Sequence, residues 1–233
     1  MRTNTNRMAL ALAAALVLAA RLGPYHRRAA GFSPGAVLEA WRNRRVRLAY
    51  LGYLGHMWEL YAMWAWAGAI AFASYGATLG AEEAQARATL TAFLAIAAGA
   101  PACVAAGIAA DRWGKARVAM LAMVVSGVCA VLAALTFGGP VWITFAVLIV
   151  WGISIVPDSA LFSALVADAA PPESAGSLMT LQTALGFALT FLTVQAAPVV
   201  AAAVGWPSVL AMMALGPLAG VVAMVRLRSM GDA

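Results

Sequence analysis

Charge is what this chain has least of. Aspartate, glutamate, lysine and arginine make up 10% of its 233 residues, against 64% hydrophobic residues and a mean hydropathy of +0.87. A water-soluble domain of this length must cover a large surface with polar side chains. Too few are present, so lipid is the solvent of most of the chain. Histidine and cysteine are scarcer still, with two of each. Cys103 and Cys129 each fall inside an apolar run and read as small packing side chains, not as a disulfide or a metal centre. A formal charge of +6 would suggest nucleic acid in a soluble protein. Here the basic residues flank apolar runs, and that placement explains the excess. No cofactor, metal or nucleic-acid partner is expected.

What is abundant comes in seven apolar runs, roughly 8–25, 48–75, 88–110, 118–137, 141–167, 177–204 and 206–225. A helix needs about 20 residues to cross a hydrocarbon layer of about 30 Å, and six of the runs reach that length. They are too long and too unalternating for barrel strands, and lipid excludes open sheet edges. The expectation is an all-α, polytopic helical membrane protein with six to seven transmembrane helices. The first run is marginal: thirteen residues precede Arg21, which must snorkel if 22–25 is to complete a span. Arg2 and Arg7 before an Ala/Leu stretch also fit a secretory signal. Seven arginines between 21 and 47 resist export, so residues 1–25 read as a membrane helix. Residues 26–47 then form a basic cytoplasmic loop, 48–226 a six-helix unit and 227–233 a cytoplasmic tail.

Basic residues orient the spans. With 21–47 inside, 111–117, 168–175 and the tail share that side, which collects twelve lysines and arginines against three opposite. This is the pattern of an integral plasma (inner) membrane protein. Ser33-Pro34 is a helix start, with Val37, Ala40, Trp41 and Leu48 at helical spacing. An interfacial helix and an unstructured connector both fit that loop.

Charges inside the runs carry chemistry. Glu59 lies about 16 Å along a helix starting at Leu48, near the bilayer midplane. His56 stands one turn earlier on the same face, among Trp58, Tyr61, Trp64 and Trp66. An intramembrane carboxylate faces protein or a water-filled cavity and needs a partner. The pair reads as a substrate or proton pathway, lined by Trp58 and Tyr61, and enclosure of both residues in a closed interior would count against that reading. Asp158 follows Pro157 at a break in its run and is expected to pair with a basic residue of 111–117. Thr180, Gln182, Thr183, Thr190, Thr193 and Gln195 either bond between helices or line a cavity, Gln182 being the best candidate for lining.

Glu82-Glu83-Ala-Gln-Ala-Arg87 resembles an element of intramembrane CAAX-type proteases. That chemistry needs later histidines, and His26 and His56 both lie upstream. With no GxSxG serine either, an enzyme is not expected.

The most specific stretch is Gly107-Ile-Ala-Ala-Asp111-Arg112-Trp-Gly114-Lys115-Ala-Arg117, a charged turn between two apolar runs. It resembles the cytoplasmic loop signature of the major facilitator superfamily, G-x-x-x-D-R-x-G-[RK]-[RK]. Gly107, Asp111, Arg112, Gly114 and Lys115 match in place, while Ala116 departs from the pattern and Arg117 comes one residue late. The turn reads as a gating loop: Gly107 for close helix packing, Gly114 for the tight turn, and Asp111, Arg112 and Lys115 for a charge network that forms in one state of a rocking transporter.

The resemblance implies a fold and an activity. One helix, a long basic loop and six further spans look like helix six, the central loop and helices seven to twelve of that superfamily, the last six as two three-helix inverted repeats. It implies a secondary active transporter, or its C-terminal half, moving a small solute by alternating access with Glu59 and His56 coupling to protons. A separately encoded N-terminal half or a second copy would complete it. The alternative is a non-transporting membrane interaction module or an inactive fragment.

Overall fold

The computed structural model describes residues 13–15, which are helical, and 35–231. The first run and most of the basic loop, Ser33 and Pro34 included, lie outside the described residues. From residue 35 onward the chain is nine helices joined by short turns, with no strand among the described residues. Helix α1 (Gly35–Arg42) precedes α2 (Arg44–Tyr75). Asn43 caps α2: its side-chain oxygen accepts from the Arg45 and Val46 N–H groups at 3.1 and 3.3 Å, and its amide donates to Ala169 O at 2.9 Å. The helix therefore starts four residues before the apolar run at Leu48, since a cap and not hydropathy sets where it begins.

Next come α3 (Ala81–Trp113), α4 (Lys115–Leu135), α5 (Val141–Ile155) and α6 (Asp158–Ala169). Helix α7 (Ala175–Val204) is followed by α8 (Trp206–Met213) and α9 (Leu215–Arg228). The break at Val156-Pro157 stands where the sequence places it. Pro157 has no N–H to give an α-helical ladder, and α5 and α6 together make one unit, Val141–Ala169. Helices α8 and α9 likewise make Trp206–Arg228. Among the described residues, five units (α3, α4, α5–α6, α7 and α8–α9) are long and apolar enough to cross a membrane.

Helix α2 is 32 residues long but is not among those five. Its load of arginine, histidine, glutamate, tyrosine and tryptophan lowers its hydropathy, and the other helices shelter it. It packs most extensively on α9, α7 and α3, and most of its length is buried. The α2–α9 crossing is close because neither backbone carries a Cβ there. A Cβ at Gly55 would lie 2.5 Å from Gly216 O and 2.9 Å from Gly220 N, the approach that small residues permit between membrane helices.

Helices α3 and α7 are the opposite case. Their most apolar stretches are only 17% buried, so most of their apolar surface faces outward, Phe93, Val104, Phe191 and Val199 included.

Candidate functional site

Helix α2 carries the two residues on which the site is built. Leu60, Met57 and Met63 around them are buried apolar side chains, and into this interior the helix brings His56 at 0% and Glu59 at 1% exposure. The two do not pair with each other. Their positions three residues apart share a face but aim each ring or carboxylate at a different neighbouring helix.

Glu59 is held by α4 and α5. Ser126 Oγ donates to Oε1 at 2.5 Å and Trp151 Nε1 donates to Oε2 at 3.2 Å. Both carboxylate oxygens therefore receive a neutral donor. No lysine or arginine is among the buried residues described.

His56 is held by α6. Its Nδ1 stands 3.0 Å from Asp158 Oδ1, and its Nε2 is hydrogen-bonded to Ser159 Oγ at 2.7 Å. The Nδ1–Oδ1 contact has ion-pair distance, but neither atom is aligned for a hydrogen bond. Tyr53 and Phe162 flank the imidazole, their ring centres 6.2 and 5.9 Å away. Asp158 is buried whereas Ser159 is half-buried, and Ala160 beyond it is exposed, so the cluster approaches the surface through Ser159.

Asp158 thus does not meet the basic turn. It begins α6, whereas the turn lies beside the far end of that helix. Twelve residues at about 1.5 Å each separate the two ends by about 18 Å, beyond a side chain's reach. The residue that does meet the turn is Asp168, which pairs with Lys115 at 2.5 Å. Both partners are substantially exposed, at 37% and 58%.

The turn itself bends at Gly114, where φ is +89°, a left-handed conformation that favours glycine. Gly107 has no packing role within the described chain, because a Cβ there would meet nothing within 4 Å. Asp111 lines an open pocket of about 380 Å³ with Arg45, Lys115 and Asp168. At this end of the bundle Lys115 forms an ion pair with Asp168. Asp111, Arg112 and Arg117 are exposed and make no ion pair among the described residues, so of the expected network of Asp111, Arg112 and Lys115 it is Lys115 that is seen paired, and with Asp168. Arg45 also binds the chain's end, donating to Gly231 O at 2.8 Å. The start of α2, the α3–α4 turn, the end of α6 and the end of α9 therefore meet at one end of the bundle.

The remaining candidates divide. Trp58 is half-buried and donates from Nε1 to Met212 O at 2.9 Å, which ties α2 to α8. Tyr61 forms an aromatic cluster with Trp64 and Phe187, with centroid distances of 5.6 and 5.5 Å. Gln182 is buried on the α7 face that meets α2, and neither of its amide atoms has a hydrogen-bond partner. An orphaned amide of this kind is costly, and it is the clearest unfilled polar position on α7.

Sequence reasoning missed Ser126, Trp151, Ser159 and Asp168. Ser126 had a signal, as the lone hydroxyl buried in an apolar helix. Trp151 had none, because tryptophans are common across this chain.

These features define an all-helical membrane protein whose most enclosed helix carries a buried acid–imidazole site. Compared with protein-family models and with curated protein sequences, the chain matches none.

Proposed function

We propose that the chain is the C-terminal half of a secondary active transporter of the major facilitator type, which moves a small solute by alternating access with proton linkage at α2. In this reading α2 crosses the membrane beside the five apolar units and corresponds to helix seven, and α2–α4 and α5–α9 are the two inverted repeats of one half. The end that gathers Arg45, Lys115 and Asp168 is cytoplasmic, as the basic residues require.

The observation that carries the proposal is the charge of the interior. Glu59, Asp158 and His56 are buried, and no lysine or arginine is among the buried residues described. Burying a carboxylate against neutral donors alone is unfavourable in a medium of low dielectric. A chain that keeps such groups has a use for them, and exchanging protons is the use their chemistry fits. Enclosure of Glu59 and His56 counts against an open pathway in this conformation; in alternating access such a closed state is one of those visited. Lys115–Asp168 ties the α3–α4 turn to α6 and would open when the half rocks.

The outward apolar faces of α3 and α7 favour a partner half beside them, and equally the second reading, a membrane interaction module through which no solute passes. Solute uptake driven by an imposed proton gradient, screened with this chain co-expressed with a candidate first half, separates the two. Transport that loses its proton coupling in Glu59→Gln supports the transporter. Coupling unchanged by that substitution removes Glu59 from the mechanism, and an absence of uptake with every candidate half favours the module.

A further inference from the structure

The end of the buried site nearest the surface has a composition of its own. Asp158 supplies a carboxylate, Ser159 a half-buried hydroxyl, and Tyr53 and Phe162 two aromatic rings packed against His56. Tyr53 and Phe162 also meet each other edge to face, their centroids 6.2 Å apart. The other titratable groups in range are negative or neutral: Glu59 on α2 and Cys103 on α3, both within electrostatic reach of Asp158. No lysine or arginine is among the buried residues described. An anion entering here would meet carboxylates and no counter-charge. A cation would meet a carboxylate and the electron-rich faces of aromatic rings, which attract positive charge most strongly where water is excluded.

We propose that the His56–Asp158–Ser159 cluster is a binding site for a monovalent organic cation, entered past Ser159. Asp158 holds the positive charge, Ser159 Oγ turns from His56 to the ligand, and the rings of Tyr53 and Phe162 provide the apolar walls. This rests on the proton-linked reading above: as the cation takes its place beside Asp158, the buried cluster releases one proton. One positive charge enters and one leaves, so the buried site keeps its net charge.

Tetraphenylphosphonium and tetraphenylborate test the proposal, because they share one four-phenyl shell and differ in sign. With the purified full chain, tetraphenylphosphonium should bind saturably and at least about tenfold more tightly than tetraphenylborate. Asp158→Asn should weaken it by about tenfold or more. Ser159→Ala, which keeps the carboxylate, should weaken it several-fold and serves if Asp158→Asn does not fold. Equal or tighter binding of tetraphenylborate would overturn the proposal, as would tetraphenylphosphonium binding indifferent to both substitutions. Proton release in lightly buffered solution reads the second part. Asp158-dependent binding with no proton released supports the cation site and contradicts the proton-linked reading, so the two fail separately.

Discussion

At the residue scale, what surrounds a side chain decides its role more than its type does. Gly55 and Gly107 are both glycines within helices, yet they stand in opposite settings. A methyl group at Gly55 runs into the α9 backbone at 2.5 Å, while one at Gly107 meets nothing. Gly55→Ala should therefore cost about 1–3 kcal/mol through overpacking, read as a fall in thermal unfolding temperature in detergent. Gly107→Ala should be neutral, or stabilise by up to about 1 kcal/mol as helical glycine is relieved. A large loss at Gly107 would show a packing contact outside the described chain. Ser126 obeys the same logic. Ser126→Ala removes one of the two donors to Glu59 and leaves Oε1 unpaired, which should destabilise by about 1–3 kcal/mol. In Glu59→Leu the carboxylate is gone and the loss from Ser126→Ala should shrink, a coupling that a double-mutant cycle measures.

At the scale of elements, the chain was legible where hydropathy alone decides and opaque where partners do. The apolar runs at 118–137 and 141–167 lie close to α4 and to the α5–α6 unit, because charges, glycines and Pro157 punctuate them. The division between α8 and α9 at Ala214 was not read, although Gly216-Pro217 follows it and Pro217 has no N–H to continue the ladder to the Met213 carbonyl. His56, Glu59 and Asp158 stood out in the sequence as ionisable groups in apolar surroundings. Their partners did not, because Ser126, Trp151 and Ser159 lie on other helices, and spacing along one helix says nothing about which side chain waits across the gap. The same limit sent Asp158 to the wrong partner: hydropathy put Asp158 and the turn towards the same side of the membrane, but α6 holds them a helix length apart. At the α3–α4 turn the bond that did form is exposed. Lys115–Asp168 should couple by less than about 1 kcal/mol in a double-mutant cycle of stability, so its breakage costs little when elements move. A coupling of several kcal/mol would make it a permanent strut, and no gate.

At the scale of the whole molecule, residues 35–231 form a helical bundle in which the other helices enclose the polar helix α2, with most of the basic residues described at one end. Two native cysteines report on that arrangement. Cys103 is exposed and Cys129 buried, so a lipid-soluble maleimide should label Cys103 in the membrane-embedded protein and spare Cys129 until unfolding. Orientation has its own test. Single cysteines placed at Glu83 and at Ser229 in a cysteine-free chain should react with an impermeant reagent from opposite sides of the membrane, Glu83 from outside and Ser229 from within. Reaction of both from one side would refute the arrangement of spans proposed for the half.

The central claim is that the buried acid on α2 exchanges its proton with the surroundings. Infrared difference spectroscopy on the purified chain, taken across a pH step, reads that exchange directly as the carboxylic-acid carbonyl band gained or lost. The account predicts a pH-dependent carboxylic-acid band that disappears in Glu59→Gln while the fold, read by circular dichroism, is retained. A spectrum with no such band, or one that Glu59→Gln leaves unchanged, would contradict it.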